Sequence, residues 1–83
     1  MQKSVHSKEQ EVLQHLLLHL WQERGFSQRQ LAERLEKPAF FICWVEKGNV
    51  MLDMPQLRQV SHALGLTLRE LVDRYEAALE QKL

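Results

Sequence analysis

Apolar residues recur every three or four positions along most of this chain, a spacing that places them on one face of an α-helix. Each of five segments contributes one such stripe, namely Leu13, Leu17 and Leu20; Leu31, Ala32 and Leu35; Ile42 and Val45; Leu57, Val60 and Leu64; and Leu68, Leu71 and Val72. No segment alternates apolar and polar residues with the period of two that a half-buried strand requires. The pattern therefore predicts an all-α fold in which the helices share one core.

Helix start and stop signals bound these stripes. Four pairs have the spacing of a capping box, in which an N-cap side chain and a residue three positions later satisfy each other's backbone N–H groups: Ser7 with Gln10, Ser27 with Gln30, Asp53 with Gln56, and Thr67 with Glu70. Gly25, Gly48 and Gly65 each follow a stripe, as glycine does in the left-handed conformation after a helix. The signals predict helices over about residues 8–24, 28–35, 39–47, 54–64 and 68–81.

Length and composition favour one folded domain over residues 1–83. Of the 83 residues, 45% are hydrophobic and 27% are charged, a balance typical of a globular protein. A chain of this size builds one modest core and no cleft between two lobes. The sequence contains neither a nucleophile paired with a base nor a phosphate-binding glycine loop, so we expect no enzyme and no cofactor.

The hydropathy of the chain, its cysteine content and its net charge indicate where the protein is expected to reside and which partners it attracts. No stretch approaches the ~20 apolar residues that span a bilayer, and the first residues lack a hydrophobic signal region, so we expect a cytoplasmic protein. The single cysteine, Cys43, excludes an internal disulfide and fits a reducing compartment. The 11 basic and 11 acidic residues cancel, so no global field draws the chain to nucleic acid.

Two features offer metal or redox chemistry, and each has a simpler explanation. His15 and His19 lie one helical turn apart, but two histidines without a further ligand pattern are more typical of a solvated polar face than of a metal site. Cys43 is more typical of a small apolar filler than of a redox sensor. We therefore predict no metal.

Two short predicted helices, 28–35 and 39–47, are joined by a turn of three residues, as a helix-turn-helix requires. The run that surrounds them comprises Gly25, Phe26, Ser27, Gln28, Leu31, Ala32, Leu35, Ile42, Val45, Glu46, Lys47, Gly48, Leu57, Ala63, Leu64, Gly65, Leu66, Thr67 and Leu68. Over about residues 17–68 this run resembles the Cro-repressor or Xre family. The resemblance implies a five-helix, lambda-repressor-like helix-turn-helix domain that regulates transcription.

The resemblance also assigns residues to a DNA-binding face. It implies that Gln28 contacts a phosphate and that the outward, base-facing positions of the second helix are Ala39, Phe40, Cys43 and Trp44. The other candidates for contacts with DNA or with a partner are Arg29, Lys37, Lys47 and Asn49.

The chain departs from the family pattern at this face. Base edges are normally read by hydrogen-bonding side chains, and among the outward positions only the Cys43 thiol and the Trp44 indole can donate. Trp21 stands where the family usually has an arginine paired with Glu46, so Glu46 is predicted to lack its usual partner. Glu36 replaces the usual glycine of the turn, and the basic residues that commonly follow Gly48 are replaced by Asn49, Val50, Met51 and Leu52.

Phe40 and Trp44 are four residues apart and so share one helix face. Core packing and an exposed patch are both open explanations, and we favour the patch because Ile42 and Val45 already define the inward side. The predicted patch extends over Leu18, Trp21, Val50 and Met51. Since large exposed apolar patches mark interfaces, the sequence leaves two functions open. One is a transcriptional regulator with weak or atypical DNA binding; the other is an antirepressor, antitoxin-like or adaptor protein that uses the same face to capture a protein.

The last helix carries a surplus apolar edge at Tyr75, Ala78 and Leu79. Four short neighbouring helices are not expected to cover this edge. We therefore predict a homodimer that forms through the C-terminal helix, residues 68–81.

Overall fold

The computed structural model describes residues 7–48 and 50–82. Within them the chain forms α1 (Lys8–Glu23), α2 (Gln28–Leu35), α3 (Ala39–Glu46), α4 (Met54–Ala63) and α5 (Leu68–Lys82), with no strand. The predicted all-α fold is confirmed, and each predicted helix boundary agrees with the structure to within one residue.

Side-chain caps fix the helix starts, as the sequence predicts. At α1, the Ser7 hydroxyl accepts a hydrogen bond from the backbone N–H of Gln10 at 3.0 Å. At α2, α4 and α5 the bonds are reciprocal, and the pairs are Ser27 with Gln30, Asp53 with Gln56, and Thr67 with Glu70. Each cap satisfies backbone donors that the helix itself leaves free, and loss of one typically costs about 1 kcal/mol.

All five helices contribute to one core, whose buried members include Leu17, Leu20, Leu31, Ala32, Ile42, Val45, Val60, Leu64 and Leu71. The helix α2 packs on α3, while α1 packs on both α3 and α5. The helix α4 packs against α2 and α5. The arginines Arg24 and Arg34 donate to the carbonyls of Leu64 and Ala63 at 2.7 and 3.0 Å, which joins α1 and α2 to the end of α4.

Two residues differ from their predicted burial, Val72 of the core pattern and Trp21 of the exposed patch. Val72, predicted to face inward, is 41% exposed, because Leu71 next to it takes the inward position of α5. Trp21, predicted to extend an exposed patch, is only 2% exposed and belongs to the core. Its spacing explains this, since Trp21 follows Leu17 by four residues and so falls on the inward stripe of α1.

The turn between α2 and α3 contains the only positive φ of a non-glycine residue in the described part of the chain. Glu36 adopts the left-handed conformation, with φ 58° and ψ 42°. The turn is closed by hydrogen bonds from the Glu36 N–H to the Glu33 carbonyl at 3.1 Å and from the Lys37 N–H to the Ala32 carbonyl at 2.9 Å. A side chain with a Cβ is strained in this conformation by roughly 1–2 kcal/mol, which glycine avoids.

We predict that Glu36→Gly raises the free energy of unfolding by about 1 kcal/mol, because glycine relieves this strain. The control is Glu33→Gly, the same substitution inside α2, where it should lower stability by about 1 kcal/mol. Urea unfolding of the two variants and the parent measures both changes. Equal destabilisation by both substitutions would contradict the prediction.

Candidate functional site

The site is the surface formed by α2, the turn at residues 36–38 and α3. Pro38 precedes α3 with extended backbone, which suits a residue just before the first helical turn. The side chains of Ile42 and Val45 are buried and fix the rotation of α3. With this rotation Ala39, Phe40 and Trp44 are exposed and Cys43 is half-buried.

Phe40 and Trp44 form an exposed aromatic pair one turn apart on α3. Their side chains are 54% and 46% exposed, and the ring centroids lie 4.7 Å apart with the ring planes tilted by 47°. This separation is that of a favourable aromatic contact, so the two rings form one continuous apolar surface.

The other residues predicted for the patch lie in different environments. Met51 is 45% exposed. Leu18 and Val50 are half-buried and pack against the core. Trp21 is buried, as described above, so it adds nothing to the exposed surface. The exposed apolar surface of α3 therefore consists mainly of the Phe40–Trp44 pair, with the small side chain of Ala39 beside Phe40 in the sequence.

The carboxylate of Glu46, at the end of α3, accepts hydrogen bonds from two other helices. Oε2 accepts from the Trp21 indole N–H of α1 at 2.8 Å, and Oε1 accepts from the Gln28 amide of α2 at 2.7 Å. The backbone carbonyl of Glu46 also accepts from the Gln14 amide at 3.2 Å. We call this set the Glu46 network. Hydrogen bonds to a charged group are among the stronger ones in proteins, so the network holds α1, α2 and α3 together.

Glu46 has no arginine partner among the described residues, and the Trp21 indole supplies a donor in its place. The signal was in the sequence, since tryptophan carries an N–H donor even though it replaces the charged arginine of the family pattern. Gln14 gave no comparable signal. Its amide lies beneath buried Gly48, at which an added Cβ would come within 2.8 Å of the Gln14 nitrogen. Glycine suits position 48 for two reasons: it allows the close approach of the Gln14 side chain, and it adopts the positive φ of 79° without strain.

Gln28 is exposed at the start of α2, but its amide is occupied by Glu46 in this structure. A phosphate contact by Gln28 remains a prediction. The predicted contact at Asn49 lies outside the described residues.

The α2–α3 surface exposes the three basic residues of the prediction, Arg29, Lys37 and Lys47, and also the acidic residues Glu33 and Glu36. None of the three basic residues forms an ion pair with another described residue. Lys37 places its ammonium 5.4 Å from the centroid of the Phe41 ring, a cation–π contact that leaves its charge at the surface. The one carboxylate of α3 belongs to Glu46 and is directed into the Glu46 network.

The predicted dimer edge on α5 lies partly against α1. Tyr75, Ala78 and Leu79 are half-buried, and the Tyr75 hydroxyl donates to the Glu9 carbonyl at 3.1 Å. Burial, followed by the negative charges of Glu9 and Glu76, raises the pKa of the Tyr75 phenol, which keeps its donated proton in place.

The residues with potential metal or redox chemistry are His15 and His19 of α1 and Cys43 of α3. His19 approaches Glu23 to 3.7 Å, and no group of three or more His, Cys, Asp or Glu side chains with the arrangement of a metal site occurs in the described part of the chain. Cys43 is a free, half-buried thiol. None of the described helices combines the length and the hydropathy that a membrane crossing needs.

Comparison with known proteins supports the fold. A crystal structure of the clp gene regulator ClgR from Corynebacterium glutamicum superposes with a TM-score of 0.79, covering 92% of this chain and 81% of that one at 21% sequence identity. The likeness establishes the five-helix helix-turn-helix fold. No protein-family model matches the chain, and no curated protein sequence matches it.

The two tryptophans should differ sharply in their effect on folding. We predict that Trp21→Ala lowers the free energy of unfolding by about 3–5 kcal/mol, since it empties part of the core and removes a donor to Glu46. The matched change Trp44→Ala, and Phe40→Ala beside it, should cost about 1 kcal/mol or less because these rings are exposed. Thermal and urea unfolding measure these differences. Equal losses at Trp21 and Trp44 would place Trp44 in the core and contradict the assignment of the exposed pair.

Proposed function

We propose that this chain is a helix-turn-helix regulator of transcription of the Cro-repressor or Xre type, in which α2 crosses the DNA backbone and α3 enters the major groove. The observation that carries the proposal is the outward face of α3, which is exposed while the Glu46 network fixes α3 on α1 and α2. The similarity of fold to a clp gene regulator supports it.

Exposed cations near α3 offer contacts to an anionic partner. Arg29, Lys37 and Lys47 are exposed and free of ion pairs among the described residues, so their charges are available for phosphates. Three cations are few for a DNA-binding domain, and the net charge of the whole chain is +0. DNA binding should therefore be weak and have a shallow dependence on salt concentration.

We expect a slope of log affinity against log salt concentration of about −3 for each protomer that binds, because each neutralised phosphate contributes about −0.9. Arg29→Ala, Lys37→Ala and Lys47→Ala should each reduce the slope by about 1. Fluorescence anisotropy with labelled duplexes at several salt concentrations measures the slope. Lys8→Ala is the control. Lys8 begins α1, at the opposite end of that helix from Trp21, which contacts α3 through Glu46. A slope of log affinity against log salt concentration of about −8 per protomer would contradict the prediction.

We further propose that the protein forms a homodimer through α5. Val72 is exposed and lies on the same helix face as half-buried Tyr75 and Leu79, with Ala78 beside them. A second copy of the chain can bury this apolar face in a two-fold symmetric interface. The two α3 helices of such a dimer would then meet successive major grooves, about 34 Å apart.

Light scattering is expected to show a dimer of the parent protein at micromolar to millimolar concentration. Val72→Glu should shift it towards the monomer without unfolding it, because the new charge would be buried only in the interface. Ala77→Glu adds the same single negative charge at an exposed position of the same helix, outside this face, and serves as the control. A parent protein that is monomeric throughout this range would contradict the dimer.

A protein-binding regulator is the second candidate. The exposed Phe40–Trp44 pair favours it, because aromatic side chains are enriched at the centres of protein interfaces. The two candidates differ in one simple measurement. The DNA-binding regulator shifts duplexes at low salt, whereas a module that has exchanged DNA for a protein partner shifts none.

A further inference from the structure

The outward face of α3 lacks the side chains that usually distinguish bases. Amide, guanidinium and hydroxyl groups read base edges by hydrogen bonds, and none of Ala39, Phe40, Cys43 and Trp44 carries one of these groups. The aromatic rings of Phe40 and Trp44 provide most of the exposed apolar surface of this face. If α3 reads sequence in the major groove, it does so mainly through contacts between apolar groups.

The major groove offers one apolar group, the C5-methyl of thymine. The faces of the two rings suit this group, because a methyl that packs on an aromatic surface loses its contact with water. The Trp44 indole N–H has no acceptor among the described residues and can donate to the neighbouring O4 of the same base.

Charge decides between DNA and an apolar protein surface as the occupant of this face. The three cations Arg29, Lys37 and Lys47 have no ion-pair partners among the described residues, and the Glu46 carboxylate is held in the Glu46 network rather than on the outward face. The exposed carboxylates nearest in sequence, Glu33 and Glu36, belong to α2 and the turn rather than to α3. An uncharged apolar centre on α3 with unpaired cations beside it complements a polyanion that displays methyl groups. A thymine-bearing duplex has this chemistry.

We propose that the Phe40–Trp44 pair is the specificity-determining element of this protein and recognises thymine C5-methyl groups in the major groove. This proposal rests on the proposed function, since it requires that α3 enters the groove. The proposal predicts that the operator is a duplex with thymines at the positions that α3 contacts.

The test begins with a selection of random 20-base-pair duplexes on the immobilised full chain at low salt. The selected duplexes should contain thymine at recurrent positions. Each such thymidine is then replaced by deoxyuridine, which removes one methyl group and leaves every hydrogen-bonding atom of the base in place. Affinity should fall about fourfold for each methyl group that the rings contact, which is the loss expected when one methyl group is no longer buried.

Variants connect this loss to the two rings. Phe40→Ala and Trp44→Ala should bind thymidine and deoxyuridine duplexes equally, while their salt dependence stays that of the parent because the cations are intact. Trp44→Phe keeps an aromatic surface and should retain most of the preference for thymidine. Circular dichroism on the same preparations verifies that each variant is folded.

The outcomes separate this proposal from the function on which it rests. If no duplex binds at low salt, the proposed function fails, and an apolar protein partner becomes the occupant of the face. If duplexes bind but deoxyuridine duplexes bind as tightly as thymidine duplexes, the regulator remains and the methyl-recognition proposal is overturned. A thymidine preference that survives in Phe40→Ala and Trp44→Ala overturns it as well.

Discussion

The orientation of α3 depends on how one carboxylate is paired. Glu46 accepts hydrogen bonds from Trp21 of α1 and Gln28 of α2, and these bonds join three helices at one point. The Glu46 side chain is half-buried, and hydrogen bonds to a charged group are among the stronger ones, so the network constrains all three helices at once. The buried side of α3 is fixed by this constraint and by Ile42 and Val45, and the outward side follows from it.

The arrangement separates stability from recognition on a helix of eight residues. Ile42, Val45 and Glu46 carry the contacts with the rest of the domain, whereas Phe40 and Trp44 contact each other and solvent. The left-handed Glu36 shows that the turn before α3 keeps its geometry even without the glycine that suits it best.

The helices could be predicted from sequence because their signals are local. Caps such as Ser27 with Gln30 act over three residues, and the apolar stripes repeat within single helices. The setting of Trp21 could not be derived in the same way, since its partner Glu46 lies 25 residues further along the chain. The spacing of Trp21 after Leu17 is compatible with an inward position, but spacing alone does not identify the carboxylate that its indole N–H meets. The exposure of Val72 likewise depends on how far α1 and α4 cover α5, which periodicity alone does not specify.

The contrast between the two tryptophans also provides the protein with its own spectroscopic reporters. Trp21 is buried with its indole N–H on a carboxylate, while Trp44 is half in water on the face proposed for recognition. Indole emission shifts to longer wavelength with exposure to water, so the two side chains emit differently without any added label. The buried one follows the integrity of the core, and the exposed one follows whatever comes to cover α3. Folding and binding can thus be observed separately in one sample of the unmodified chain.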